Sequence, residues 1–153
     1  MVMLNLMDKS QEAFNFEMRA DDDFSSVLRR YMDEQNISIN DLAKRSNISR
    51  RTVIRYRSGH MPNDYITLVM LCIGLKINIS KAEYLFKLAH LSLGTDKNSL
   101  AYKLLINLSF ASDITIEQCN DYLIRLGFPK LKTTTNFMQE DDYEIRIHII
   151  EQS

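Results

Sequence analysis

Six basic side chains lie close together between residues 38 and 62, where they could bind an anionic ligand. With the single acid of that stretch they give it a net charge of +5, and four of them are arginines within positions 50–57. A guanidinium group can donate paired hydrogen bonds to a phosphate, or to the O6 and N7 atoms of guanine. The chemistry indicated is therefore recognition of a nucleic acid. The six residues are Lys44, Arg45, Arg50, Arg51, Arg55 and Arg57.

The arginine-rich stretch 50–57 has the spacing of a helix with two different faces. Successive residues of a helix are about 100° apart around its axis. One face then carries Arg50, Arg51, Ile54 and Arg55, and the other carries Val53 and Tyr56. The pattern predicts a helix that packs with one face and presents the other to a negatively charged partner.

The net charge of the whole chain, −1 with a pI near 6.3, is not that of a typical nucleic-acid-binding domain, which is basic. This average combines regions of opposite sign. Residues 1–23 hold six acids and two bases, a net charge of −4. Because the local field governs association more than the total charge, the basic stretch keeps its significance.

No residues in the chain form a recognisable catalytic or metal-binding motif. His60, His90 and His148 are scattered, and none has a second ligand-type residue at metal-binding spacing. Cys72 and Cys119 are far apart, and each lies in an apolar helical pattern, as buried reduced thiols do. The sequence therefore predicts a protein that is not an enzyme and that holds no metal or cofactor.

The length of 153 residues, with four Gly and two Pro, predicts one compact domain with tails. The longest apolar runs are far shorter than the roughly 20 residues that cross a membrane. The first residues lack the basic and apolar regions of a signal peptide. We therefore expect a cytoplasmic protein with no membrane partner.

Helix-starting signals recur along the chain. An apolar residue, a Ser or Thr cap and a following acid or amide occur in the segments 37–41, 79–83 and 114–118, which predicts helix starts near residues 39, 81 and 116. Asp23 and Ser49 are predicted to cap two further helices. The seven predicted helices cover about 24–35, 39–46, 50–57, 65–75, 81–91, 100–110 and 116–126.

The two ends of the chain are harder to interpret. Residues 1–20 have weak helical spacing, which fits a frayed arm or a short accessory helix. In the tail, Ile145, Ile147 and Ile149 alternate with polar residues, which predicts a short strand. Such a strand would pair with another copy of the chain or lie on its surface, and the segment could instead be helical. The predicted segments are the arm 1–20, a domain 21–92, a helical extension 93–131 packed on it, and the tail 132–153.

The order of these short helices resembles the Cro/C1-type helix-turn-helix domain, also called the XRE family. The similarity covers about residues 22–91 and depends on Leu42-Ala43, Ile48-Ser49, Val53, Gly59 and Pro62 at their relative spacing. The run 79–131 is similar to a subgroup of bacterial XRE-type regulators with two additional helices. The resemblance implies an all-α bundle with a lambda-repressor-like helix-turn-helix that binds duplex DNA.

A recognition helix reads base edges in the major groove, while residues at its margins contact phosphates. The predicted base-reading residues are Arg50, Arg51, Thr52, Ile54 and Arg55. The predicted phosphate contacts are Arg45, Ser49, Arg57, His60 and Asn63.

Three positions depart from the family pattern. Ile39 stands where the family often has a Gln that contacts phosphate, and Asn47 replaces the usual Gly of the turn. Arg57 replaces an acid that often precedes the final glycine, which makes the surface more basic. The change at Ile39 bears on individual DNA contacts more than on the fold.

These observations lead to one functional hypothesis and one alternative. The hypothesis is a transcriptional regulator that reads duplex DNA sequence-specifically with helix 50–57, as a homodimer held by the last two helices or by residues 145–150. No small-molecule effector is evident. The alternative is a helix-turn-helix scaffold whose partner is another protein, suggested by the near-neutral net charge and by Ile39.

Overall fold

A computed structural model describes residues 18–132 of the chain, and within that range all regular structure is helical. This confirms the predicted all-α bundle of about seven helices. The possible strand at 145–150 and most of the predicted N-terminal arm lie outside the described residues. The helices are α1 Phe24–Gln35, α2 Ile39–Ser46, α3 Arg50–Arg57, α4 Tyr65–Leu75, α5 Ile79–Leu88, α6 Lys97–Ala111 and α7 Ile116–Arg125.

Side-chain caps fix where most of these helices begin, as the sequence predicts. Asp23 accepts a hydrogen bond from the Ser26 backbone N–H at 2.7 Å, and Ser26 Oγ accepts one from the Asp23 N–H at 3.0 Å. Thr115 and Gln118 form the same reciprocal pair at the start of α7. Each pair satisfies backbone donors that the first helical turn leaves without partners.

The predicted start of α5 is wrong by two residues. The sequence pattern made Ser80 the cap, whereas Asn78 caps the helix by accepting a hydrogen bond from the Lys81 N–H at 2.9 Å. Asn is at least as good a cap as Ser, so the earlier of two polar candidates is used. The helix also ends earlier than predicted, at Leu88, and His90 then adopts a left-handed conformation with φ 58°.

The predicted start of α6 is wrong by three residues. Asp96 and Asn98 lie in the gap between the predicted helices 81–91 and 100–110, but Asp96 caps a helix that begins at Lys97. Both the N–H and the hydroxyl of Ser99 donate to the Asp96 carboxylate, at 3.3 and 2.6 Å. Residues that favour turns also favour helix caps, so composition alone did not separate the two.

The central helix of the fold is α4, as its nearly continuous apolar sequence predicts. Nine consecutive residues, Thr67 to Leu75, are buried. Helix α2 packs along one side of α4, and α6 and α7 pack on other parts of its surface. The buried apolar residues of all seven helices form one continuous core.

Two contacts join α4 closely to its neighbours. A Cβ atom added to Gly74 would lie 2.7 Å from Ser46 Cβ and 2.9 Å from the Ser46 backbone nitrogen, so the backbones of α4 and α2 nearly touch. One residue before Gly74, the carbonyl of Ile73 accepts a hydrogen bond from the buried Ser109 hydroxyl of α6 at 2.6 Å. Helix α4 is thus fixed to α2 by close packing and to α6 by a hydrogen bond.

A buried ionic group joins α1 to α5. The Asp22 carboxylate, whose side chain is 3% exposed, accepts hydrogen bonds from both terminal nitrogens of Arg30 at 2.8 and 3.0 Å. Tyr84 of α5 donates its hydroxyl to the same carboxylate at 2.7 Å. The hydrogen bonds from Arg30 above all hold the pKa of Asp22 well below its usual range.

None of the helices between residues 18 and 132 has both the length and the apolar character needed to cross a membrane.

Candidate nucleic-acid interface

Helix α3 packs on α1 and α2 through the two residues predicted to face inward. Val53 is fully buried and Tyr56 is 8% exposed, and the Tyr56 ring meets Phe24 of α1 edge-on with 6.1 Å between ring centroids. The predicted inner face is therefore confirmed. The opposite face of α3 is left on the surface.

The start of α3 is fixed by two hydroxyl groups. Ser49 Oγ accepts a hydrogen bond from the Thr52 N–H at 3.1 Å and lies 2.7 Å from Thr52 Oγ1. Ser49 is buried and Thr52 is half-buried. Their side chains, predicted to contact phosphate and bases, are hydrogen-bonded to each other at the helix start. The turn before them has Asn47 at φ 57°, a left-handed conformation that Asn adopts more readily than most residues, so Asn47 can stand where the family usually has Gly.

The end of α3 is tied to α1 by the buried Ser25. Its hydroxyl donates to the Tyr56 carbonyl at 2.6 Å and accepts from the Gly59 N–H at 2.8 Å. Gly59 has φ 111°, a conformation that L-residues rarely adopt, so a glycine suits the position just after the end of α3. The guanidinium of Arg29 in turn donates to the Arg57 carbonyl. Both ends of α3 are therefore held by specific polar contacts.

The outer face of α3 carries the predicted base-reading arginines. Arg50, Arg51 and Arg55 are exposed, and Ile54 between them is 37% exposed. Arg50 Nε donates to Asn40 Oδ1 in the first turn of α2 at 2.7 Å. This bond leaves the terminal nitrogens of the guanidinium as donors for a ligand. The structure thus places four of the five predicted base-reading side chains together on the surface.

The predicted phosphate contacts are more dispersed. Arg57 is half-buried and points back to α1, where its Nη1 lies 3.5 Å from Met32 Sδ. His60 and Asn63 are exposed in the loop between α3 and α4, and Arg45 is exposed near the end of α2. These four residues therefore come from three places in the chain: the end of α2, the end of α3 and the loop after α3.

Arg45 also lines a groove of about 410 Å³ between α2, the end of α4 and the α6–α7 turn. In this groove Lys76 Nζ and a carboxylate oxygen of Asp113 form an ion pair at 2.8 Å. The pKa of Asp113 is lowered by its hydrogen bond with Lys76 and, to a smaller extent, by the charge of Arg45. An acid contributed by the α6–α7 turn therefore lies near one of the predicted phosphate contacts.

Sequence reasoning missed two residues that organise this surface, Asn40 and Ser25. Asn40 is ten residues from Arg50, and Ser25 is 31 residues from Tyr56. No local pattern links residues at such separations, because each contact exists only after the helices have packed. The only local signal was that both residues are polar.

The described residues contain no group of three or more His, Cys, Asp or Glu side chains that could hold a metal ion. Cys72 and Cys119 are buried free thiols, as predicted. Burial raises the pKa of both, that of Cys119 to about 11. The two thiols therefore stay protonated near neutral pH, unlike reactive cysteines.

Comparison with known families agrees with the geometry. Residues 27–80 match the family model of the Cro/C1-type HTH DNA-binding domain. Over these residues the chain is similar to a Cro/C1-type helix-turn-helix domain. The match runs from within α1 to the first residues of α5, so the Cro/C1-type domain includes the whole of α2 and α3. Searches among curated proteins and among solved structures returned no match for the chain.

The match to a Cro/C1-type domain supports a DNA-binding regulator in general terms, with double-stranded DNA as the partner. Helices α6 and α7 lie beyond the matched residues. They pack on the domain through α4 and α5, and neither is among the main packing partners of α3.

Proposed function

We propose that the chain is a transcriptional regulator that reads duplex DNA sequence-specifically, with α3 in the major groove. The observation that carries this proposal is the outer face of α3, where Arg50, Arg51 and Arg55 are exposed around Ile54 while the opposite face is buried. A helix of this kind can insert into the groove without exposing its own core.

Within this proposal, the arginines read guanine bases and Ile54 contacts a thymine methyl group. A well-placed bidentate arginine–guanine pair discriminates against the wrong base by about 1–3 kcal/mol. Asn40 is a positioning residue, because its bond to Arg50 Nε fixes the approach of that guanidinium. Thr52 reaches a base or a phosphate only by giving up its contact with Ser49.

The proposed phosphate contacts orient the protein without reading sequence. Arg45, His60 and Asn63 are exposed and can reach the DNA backbone directly. Arg57 would have to leave Met32, and the buried Ser49 would contribute mainly by fixing the start of α3.

We further propose that the protein acts as a homodimer in the bacterial cytoplasm. Helix α3 has only eight residues and reads few base pairs. Two copies on half-sites about 34 Å apart would multiply the discrimination.

Selection of bound sequences from random duplexes, followed by affinity measurements on the selected site, tests the proposal. Arg51→Ala should lower affinity for the selected site at least about tenfold and relax the preference at one base pair. Arg45→Ala should weaken binding to all duplexes alike and reduce the slope of log affinity against log salt by about one unit.

The matched control is Lys130→Ala, which removes a positive charge from an exposed residue beyond α7, outside both the arginine face and the helices α6 and α7. It should leave both sequence preference and salt slope unchanged. If Arg51→Ala and Lys130→Ala behave alike, α3 is not the reading surface. Steep salt-sensitive retention of the wild type on heparin resin is also expected, and flow-through at low salt would favour a protein partner.

A further inference from the structure

Exposed apolar side chains are concentrated at one end of the described chain. Seven of the eleven exposed large apolar residues between 18 and 132 lie in or just after α6 and α7. Single apolar residues on a surface are ordinary, whereas a contiguous group indicates a contact surface. The seven are Leu100, Leu104, Leu108, Phe110, Tyr122, Ile124 and Leu126.

Five of these residues follow one another along α6 and α7, and we call them the leucine stripe: Leu100, Leu104, Leu108, Tyr122 and Leu126. The first three are four residues apart, so they share one face of α6. Leu108 and Tyr122 line the same shallow depression at the α6–α7 turn, and Leu126 is four residues beyond Tyr122. The members of the stripe are between 37 and 66% exposed.

The fold of a single copy does not need the leucine stripe. Helix α6 already buries Tyr102, Leu105 and Ile106 on its inner side, where it packs on α4 and α5. Helix α7 likewise buries Cys119 and Leu123. Both helices are therefore apolar on an outer face in addition to the face that anchors them.

We infer that the leucine stripe is the surface through which two copies of this chain associate, an inference that rests on the proposed dimeric regulator. A two-fold dimer uses the same patch on both partners, so the patch must complement itself. The charges of the two helices meet this requirement. Helix α6 has Lys97 and Lys103 and no acid, whereas α7 has Glu117 and Asp121 against Arg125.

A symmetric arrangement with α6 of one copy beside α7 of the other brings these opposite charges together twice. Helix α6, with 15 residues, is about 22 Å long. A standard interface buries about 800 Å² per partner, so the contact would extend beyond the five side chains of the leucine stripe over both helices.

The position of the leucine stripe also fits DNA binding by both copies. The main packing partners of α3 are α1 and α2, whereas those of α6 and α7 are α4 and α5. Pairing through the stripe therefore leaves the arginine face of α3 open on each copy. One dimer can then present two reading helices to two half-sites.

Light scattering on the purified full-length chain, across a concentration series and without DNA, tests the inference. The wild type should have twice the 17.9 kDa mass of one chain. Leu104→Asp should weaken dimerisation at least about thirtyfold, because a charge in the centre of the interface has no partner. Its thermal unfolding, measured on dilute monomer, should match that of the wild type.

The matched control is Ile124→Asp, since Ile124 is 50% exposed but lies about 200° around α7 from Tyr122. Ile147→Asp tests in the same way whether the tail, residues 132–153, holds the dimer. The inference would be overturned if the wild type is a monomer, or if Leu104→Asp and Ile124→Asp weaken the dimer equally. It would also be overturned if Ile147→Asp dissociates the dimer and Leu104→Asp does not.

Arg51→Ala separates this result from the proposed function, because it should relax the preference at one base pair and leave the dimer intact. If the wild type dimerises through the stripe but binds no duplex, the DNA-reading proposal fails and the dimer surface stands.

Discussion

Helices α3 and α4 are neighbours in sequence but are stabilised in different ways. Helix α4 has nine consecutive buried residues and is held by close packing against α2 and other helices. Helix α3 buries only Val53 and Tyr56, and polar contacts fix its two ends. The comparison shows why α3 can carry an arginine-rich face: its position depends on few of its own side chains. Substitutions should therefore act on folding in α4 and on ligand binding in α3.

The largest effect is expected from Gly74→Ala. The new Cβ would overlap Ser46, whose backbone cannot move without shifting α2. We expect a loss of about 3 kcal/mol in the free energy of unfolding, measured by urea denaturation. Ser46→Ala removes a hydroxyl without adding volume and should cost less. An unchanged midpoint for Gly74→Ala would show that α2 and α4 are not packed this closely.

A second effect, on the contact between α1 and α5, is expected when the pH is lowered. The pKa of Asp22 is lower in the folded chain than its ordinary value of 3.8, so its contribution to stability is complete above about pH 5. That contribution is lost progressively as the pH falls below about 4, where the unfolded carboxyl takes up a proton first. Asp22→Asn should cost about 2 kcal/mol at pH 7 by chemical denaturation.

Between pH 7 and pH 3, Asp22→Asn should lose less stability than the wild type, because it lacks this titrating group. Asp33→Asn, on the exposed surface of α1, is the matched control and should keep the acid sensitivity of the wild type. If Asp22→Asn and the wild type lose the same stability between pH 7 and pH 3, Asp22 is not the cause of that loss.

A third and smaller effect is expected from Ser25→Ala at the end of α3. It leaves the Tyr56 carbonyl and the Gly59 N–H without their buried partner, at a cost of about 1–2 kcal/mol. Hydrogen exchange should accelerate at Gly59 before it does so in α4, because the end of α3 opens locally. Ser58→Ala, in which the lost hydroxyl is exposed, serves as the control. Equal acceleration in α3 and α4 would contradict the idea that the two helices are held independently.

The smallest effect on stability is expected from Asn40→Ala. Its side chain is exposed, so unfolding should change by less than about 0.5 kcal/mol. Affinity for the selected duplex should fall a few-fold, since Arg50 loses the bond that orients it. The effects of Asn40→Ala and Arg50→Ala on DNA affinity should therefore not add. Strict additivity would show that Asn40 does not act through Arg50.

Much of this architecture could be predicted from the sequence, for local reasons. The continuous apolar run of α4 and the two faces of α3 depend on spacing within one helix, and both predictions are confirmed. The starts of α5 and α6 were wrong because each has two polar candidates for the cap within three residues. Asn78 and Ser80 both suit the cap of α5, and Asp96 suits a turn as well as the cap of α6.

The contacts that join the helices could not be predicted in the same way. The close approach of Gly74 to Ser46 and the bond from Asn40 to Arg50 depend on the angles at which helices cross. Neighbours along the chain do not determine those angles. The assignment of individual residues to bases and phosphates remains a prediction, and the DNA-binding measurements above address it.

The contacts on either side of residue 74 have a mechanical consequence. Ser109 of α6 donates a hydrogen bond to the carbonyl of Ile73. The next residue, Gly74, packs directly against the backbone of α2 at Ser46. A displacement of α6 therefore moves α4, and through α4 it moves α2, the first helix of the helix-turn-helix. In a dimer joined through α6, the way the two copies pack against each other would therefore determine the distance between their two α3 helices and the angle between them.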